Sequence, residues 1–226
     1  MARQARVAPA GQIYHVMNRA VGRFVMMRKD EDFMAFERVM IQAHEREPLP
    51  ILAYCLMGNH WHFVVKPKVE GQLASFFRWL TLTHAVRWRV AHRTVGYGPL
   101  YGGRYKSFMV QPGGRLLEVL RYVERNALSA DLVSRVEDWR WSSLWARSQG
   151  AEGLRAILSE WPGGRPAGWE GYVNEAMTKT ELSRLKLSES RGRPYGEDRW
   201  VGRLVSELGL QYTIRDPWRP AKAAKK

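Results

Sequence analysis

The residues most able to do chemistry in this 226-residue chain stand in the run from Leu49 to Lys66, where His60-Trp61-His62 follows directly on Gly58-Asn59. Hydrophobic stretches flank the Gly-Asn pair, and they read as two strands joined by a tight turn. Side chains alternate faces along a strand, so His60 and His62 point one way and Trp61 the other. Two imidazoles side by side could hold a metal ion. Alone, the spacing is a weak signal, because such a pair is more often ordinary half-buried polarity.

A second group lies in Gly113 to Leu128, GGRLLEVLRYVERNAL. Leu116, Leu117, Val119, Leu120 and Val123 form one stripe of a helix expected over 114–128, with Gly113-Gly114 as its flexible entry. Tyr122 and Asn126 are spaced i, i+4 and share a face, and Arg115 lies at nearly the same azimuth. A helix packed on a sheet would hold these polar groups at the edge of its contact. The ingredients are then two imidazoles, one amide oxygen and one phenol. Taken singly, Tyr122 reads as a packing residue with its hydroxyl on water, and Asn126 as a residue near a helix C-terminus. His15, in the first strand, reads better as a satisfied structural histidine than as part of a site.

The elements that must position these groups are strands over 12–18, 49–57, 60–66 and 104–111 and helices over 30–46, 71–93 and 114–128. Asp30, Glu31 and Asp32 suit a helix N-terminus. Strands joined by helices and one hairpin imply an α+β fold with an antiparallel sheet, compatible with the split βαβ, ferredoxin-like arrangement. Between 94 and 103, TVGYGPLYGG reads as a mobile loop. Beyond Ser148 the pattern changes to a loop at 161–168, a short amphipathic helix at 178–187, an extended break RGRPYG at 191–196 and a helix from Glu197 to Leu208. The final PAKAAKK reads as a disordered, electrostatic tail. Gly192-Arg193-Pro194 is similar to the core of minor-groove-binding arms, but a plain linker is the stronger reading of three residues.

Net charge is +14 and the isoelectric point is about 10.3, a field that attracts polyanions and makes binding salt-dependent. Residues 1–150 hold 22 Lys+Arg against 12 Asp+Glu, and residues 151–226 hold 14 against 10, so most of the excess lies with the first part. Arg78, Arg87, Arg89 and Arg93 interleave with Phe76, Phe77, Trp79 and Trp88 in the long helix and could stack on bases beside phosphate contacts. At helical spacing, however, such aromatics are more often core and such arginines a solvated face. Cys55 is the one cysteine, which excludes an intrachain disulfide and points to a reducing cytoplasm. The start of the chain lacks the apolar core of a signal peptide, and no run approaches a membrane span.

In several blocks, in order, the chain resembles the REP-associated tyrosine transposases, a branch of the single-tyrosine transposases within the HUH endonucleases. The blocks are Gly11-Gln12-Ile13-Tyr14-His15-Val16 with Asn18-Arg19, Ala53 to His62, Leu100 to Ser107, Arg121 to Asn126, Trp141-Ser142-Ser143, and Arg191 to Gly196. The resemblance implies a ferredoxin-like antiparallel sheet with helices on one face and the two histidines on a central strand. It implies a catalytic domain over 1–148 and a basic, helical C-terminal extension over 149–226 that could contact DNA. The implied reaction is metal-dependent cleavage and transfer of single-stranded DNA at hairpins of repeated palindromes. Tyr122 would be the nucleophile, leaving a 5′-phosphotyrosine and a free 3′-hydroxyl. His60, His62 and Asn126 would hold the cation, Mg2+ or Mn2+. Arg19, Arg104, Lys106, Arg115 and Arg193 would contact DNA. The chain has Gly58 where the family has proline before Asn-His, and Asn126-Ala127 where it has Asn-Pro. The implied setting is the bacterial cytoplasm, at the nucleoid, with no membrane partner, as a monomer or a homodimer. A different class of function is a DNA-binding protein or repressor that keeps the fold without turnover. Retention of His60, His62, Tyr122 and Asn126 together favours the enzyme over that reading. An RNA binder is weaker still, since no RNP-type aromatic pattern is present.

Overall fold

The computed structural model describes residues 7–215; the basic PAKAAKK tail and the first six residues lie outside them. The core unit runs β1 (Ile13–Arg19), α1 (Asp30–Arg46), β2 (Ile51–Met57), β3 (His60–Val65), α2 (Gln72–Ala91), β4 (Lys106–Val110) and α3 (Gly114–Glu124). The strands form one antiparallel sheet in the order β2-β3-β1-β4, the ferredoxin-like arrangement, with β3 and its histidines in the interior. α1 begins where the acidic cluster stands, and Asp32 turns back to accept the backbone N–H groups of Arg28 and Lys29.

Strand alternation divides the core into two layers. Tyr14, Val16, Tyr54, Leu56, Trp61, Phe63 and Met109 face α1 and α2. Ile13, Cys55, Val64, Phe108 and Val110 face α3. The expectation of helices on one face holds for α1 and α2. α3 covers the other face, because Leu116, Val119, Leu120 and Val123 form an apolar stripe that needs a sheet to bury it.

The C-terminal part adds α4 (Ser143–Gln149), α5 (Glu152–Ala156), α6 (Trp169–Asn174), α7 (Lys179–Arg191) and α8 (Asp198–Glu207). Leu154 of α5 and Val201, Leu204 and Val205 of α8 join the Trp61 layer. Leu144, Trp169, Val173 and Leu185 of α4, α6 and α7 join the α3 layer. The RGRPYG break is not a free linker. Gly192 ends α7 in the left-handed conformation, φ 72°, and Tyr195 then pairs in parallel with Val110 on the β4 edge. Its N–H donates to Met109 and its carbonyl accepts from Gln111, which occupies hydrogen-bonding groups of an otherwise open edge. In α2, Phe76 and Phe77 are core, Arg87 bonds Gln42, and Arg89 bonds Pro99 and Thr94. That helix is structural where those residues are concerned. No helix among the described residues is long and apolar enough to cross a membrane.

Candidate active site

The strand pair β2-β3 presents His60 and His62 on the α3 side. Cross-strand register sets Met17 and Cys55 beside His62, and Arg19 and Met57 beside His60. The turn that sets this register is pinned by three backbone bonds: Met26 and Met27 donate to the Gly58 carbonyl at 2.8 and 2.9 Å, and Ala20 donates to that of Asn59 at 2.9 Å. Each imidazole has a hydrogen-bonding partner at Nδ1. Nδ1 of His60 is 2.6 Å from Asn59 Oδ1, and Nδ1 of His62 is 2.9 Å from His15 Nε2. The two rings stand edge to face, centroids 5.0 Å apart.

Burial disfavours the charged imidazoles. It takes His60 down to about 4, helped by the positive charge of Arg19 and opposed by a hydrogen-bonding contact with Asn126. His62 is held well below its ordinary value by burial first, then by His60, His15 and Arg19. Both rings are therefore neutral near pH 7, the form that binds metal. With Nδ1 engaged on each, Nε2 is the nitrogen left to meet a cation, the usual arrangement in which an outer partner orients a ligating ring. Two neutral nitrogens beside an amide oxygen fit a divalent cation completed by water or phosphate oxygens. Among the described residues no three His, Cys, Asp or Glu side chains form a group arranged to hold a metal ion.

α3 carries Tyr122 to this pair. Buried Glu124 accepts from Ser143 and from Trp169 Nε1, both at 2.6 Å, while Arg121 and Arg125 donate to the carbonyls of residues 173–176. The end of the helix is thus tied to α4 and α6. Tyr122 lies edge-on to His62, centroids 5.7 Å apart, and tilted to His15 at 6.2 Å. The helix ends at Glu124, short of the expected 128, and Asn126 stands in the turn beyond it. Arg125 and Ala127 keep right-handed helical dihedrals through that turn, so Asn126 still reaches His60.

Of the remaining residues expected from sequence, Arg19 acts electrostatically on His60, His62 and Tyr122. Arg104 and Lys106 are exposed and line an open cavity of about 390 Å³ together with Phe108, Glu189 and Arg191. Arg115 and Arg193 do not join the cluster. Arg115 pairs with Glu118 at 2.5 Å, and Arg193 lies 3.8 Å from Asp198. Two participants escaped the sequence reading. His15 is structural in being buried, yet its partner is His62; a histidine on the strand next to an HxH strand was the available signal. Glu189, on α7, lies near enough for its charge to act on the Tyr122 phenol, and nothing in its local sequence marks it.

Among solved structures, a REP-associated tyrosine transposase bound to a REP hairpin shares this fold: TM-score 0.54, 15% identity, 79% of this chain and 100% of that one covered. A Deinococcus radiodurans R1 protein provisionally assigned as a transposase gives a TM-score of 0.40 at 18% identity, over 54% of this chain and 96% of its own. The tRNA(His) guanylyltransferase of Saccharomyces cerevisiae gives 0.41 at 9%, over 88% and 86%. At those two scores neither bears on function. No curated protein matches the chain. The segment from the start of β1 to Asn126, which contains every group of the cluster except Glu189, is the segment that a family model recognises: residues 10–126, more than half of the chain, match the model for IS200-like transposases, and the protein belongs to that family.

Proposed function

We propose that the protein is a metal-dependent single-strand DNA endonuclease and strand transferase that works through a 5′-phosphotyrosine on Tyr122. The observation that carries this reading is the convergence of Tyr122 on His62 and of Asn126 on His60 from one helix end onto one strand. His60, His62 and Asn126 would hold Mg2+ or Mn2+, which when bound supplies Lewis-acid charge to the phosphate and the departing oxygen. Tyr122 attacks the phosphodiester and the 3′-oxygen leaves. The helix clamp around Glu124 holds the phenol in place for in-line attack, and the Arg19 guanidinium offsets negative charge on the incoming phosphate. The exposed Arg104 and Lys106 beside the cavity give the backbone of a single-stranded flank a path to the site.

The substrate is a hairpin with a single-stranded flank. A duplex constrains its backbone, whereas a phenol held at a helix end needs an exposed strand. Hairpin specificity also draws on the transposase of the same fold that binds one. The experiment is incubation with labelled single-stranded hairpin DNA and Mg2+ or Mn2+. A covalent protein-DNA adduct is expected with the flanked hairpin and not with the same sequence made fully duplex. Equal cutting of both substrates, or cutting that EDTA leaves unchanged, would refute the reading. A protein that bound the hairpin and never formed an adduct would be a silent DNA-binding descendant instead.

A further inference from the structure

The C-terminal extension closes the β2 edge of the sheet. Leu158, just after α5, pairs in parallel with Ile51, and the Ser159 N–H donates to the Ile51 carbonyl at 2.8 Å. The buried Trp161 indole donates from Nε1 to the Leu52 carbonyl at 2.6 Å, and Arg147 of α4 donates to the carbonyls of Leu52 and Ser159 at 3.0 and 2.7 Å. These bonds account for the indole and for one nitrogen of Arg147. They do not account for the cations gathered beside them.

Arg147, Arg155 and Arg165 line one open cavity of about 350 Å³ against the Trp161 wall, with Glu160 as the carboxylate among them. The guanidiniums of Arg147 and Arg165 lie 5.7 and 5.9 Å from the Trp161 ring centroid. Arg165 pairs through Nη2 with Glu170 at 2.9 Å, while its Nε and that of Arg147 are buried without a partner. Among the described residues the exposed Arg155 guanidinium has no hydrogen-bond or ion-pair partner. Like charges collected beside an apolar wall repel one another in a reduced dielectric. The basicity of Arg147 falls accordingly, through burial first, with Arg165 adding to it and Glu124 and Glu160 opposing. An anion in the cavity relieves that repulsion, and planar guanidinium forks match the oxygens of a phosphate.

The cations continue past this cavity. Glu160 and Trp161 also line a neighbouring one of about 500 Å³, which Lys66 and Lys68 border, exposed just past β3. Such a strip matches a run of phosphates better than it matches one small anion. It lies at the far end of β2 from the histidines, since Ile51 pairs with Leu158 and Met57 with His60, and the strand between them spans roughly 20 Å. That reach is less than one turn of duplex, about 34 Å. Arg104 and Lys106 stand at the start of β4, the opposite edge strand. We propose that Arg155 and Arg165, continued by Lys66 and Lys68, hold the phosphodiester backbone of the hairpin stem at the β2 edge, while the single-stranded flank runs past β4. This rests on the reading of a flanked hairpin as the substrate given above. Arg147 is a positioning residue that fixes the cavity wall to β2. The extension, outside the stretch shared with the family, then favours a hairpin over a bare strand by giving duplex phosphates a second anchorage.

The test reads equilibrium binding by the full chain, in EDTA, of a labelled flanked hairpin and of the flank alone. Arg155→Gln with Arg165→Gln should weaken hairpin binding roughly 10-fold at about 0.1 M salt and make its log–log salt dependence shallower by about one to two, with flank binding unchanged. Arg155→Gln by itself removes no contact within the protein, so it should give a smaller loss of the same kind with the fold intact, as should Lys66→Gln with Lys68→Gln. Arg38→Gln with Arg203→Gln, exposed on α1 and α8, removes equal charge elsewhere and should leave the preference for hairpin over flank in place. Hairpin and flank weakened equally, or hairpin affinity and salt slope left at wild-type values in the folded variants, would overturn the proposal. So would inorganic phosphate that binds the wild type and not the variant while hairpin binding is the same in both, the mark of a free-phosphate site. Adduct formation plays no part in this readout. A wild type that prefers the hairpin and never forms an adduct refutes the nuclease reading alone, and one that binds the hairpin no better than the flank overturns this proposal whatever Tyr122 does.

Discussion

Trp61 and His62 are neighbours on β3, both almost wholly buried at 0% and 1% exposure, and they face opposite sides of one sheet. On the Trp61 side the indole stacks on Phe77 with centroids 5.6 Å apart, and Nε1 donates to the Tyr101 hydroxyl at 3.2 Å. On the other side His62 meets His15, the edge of Tyr122 and, beyond it, Glu189. Burial alone does not separate the two. His84, on the Trp61 side, is buried too and is driven down to about 4 by desolvation, bonded to the Tyr101 hydroxyl at 2.8 Å. What separates them is company: His84 packs on Phe36 and Tyr101 and feels Asp32 and His92, which pair with each other, whereas the His62 side gathers two further imidazoles, an amide and a phenol. A perturbed group marks a functional site when complementary chemistry surrounds it.

The comparison breaks first at the phenol. Tyr122→Phe should abolish adduct and cleavage, a loss of at least about 10⁴-fold, while melting temperature and hairpin affinity stay near wild type. His60→Ala and His62→Ala come next. Each should cost roughly 10³-fold in metal-dependent cleavage, and calorimetric titration with Mn2+ should show the weakened binding directly. On the opposite face, Trp61→Ala should cost about 3–5 kcal/mol in urea unfolding, from lost burial and the cavity left behind. Its folded fraction should still cut DNA. A Trp61→Ala protein that is stable but inactive would erase the contrast between the two faces.

Acid should strike both faces. His15, His60 and His84 have folded pKa values of about 3, 4 and 4, below the unfolded value near 6.5. Their contribution is complete above pH 6.5 and is lost as pH falls towards about 4, because the unfolded chain takes up protons that the folded one refuses. By pH 5 the loss should be on the order of 1–2 kcal/mol per histidine, read as a falling urea midpoint. A midpoint flat from pH 7 to 5 would contradict neutral burial. The smallest effect should be that of Asn126→Ala, about 10-fold in cleavage rate, since water can replace an amide oxygen on a cation.

The core elements were legible because their signals are local. Alternation in LPILAYCLM and HWHFVV, a Gly-Asn turn and a 3.6-residue stripe from Leu116 to Val123 follow from short-range backbone sterics and face-by-face burial. They suffice to put His60 and His62 on one face of a hairpin strand and are compatible with the ferredoxin-like sheet, whose strand order they do not set. The expected end of α3 at 128 lies a turn too far: after Glu124 the backbone passes to i→i−3 bonding, from Asn126 to Val123 and from Ala130 to Ala127, where long-range bonds tie the helix end to its neighbours. Arg121 and Arg125 reach carbonyls of α6 and the turn after it, and Glu124 is shared with Ser143 and Trp169. No pattern within the helix encodes those partners. The edge pairing of Tyr195 with Val110 was equally hidden, since a strand-like addition of a few residues has no periodicity of its own.

The sequence by itself determined which chemical groups exist and which of them share a strand or a helix face: His60 with His62, Tyr122 with Asn126. Only the tertiary structure decided that the two pairs meet, that His15 holds His62, and that Glu189 arrives beside Tyr122 from α7. The physical reason is distance along the chain. Contacts between residues three or four apart are fixed by backbone geometry, whereas contacts across the fold are fixed by how two apolar layers and their covering helices pack. That packing is a property of all the buried side chains together.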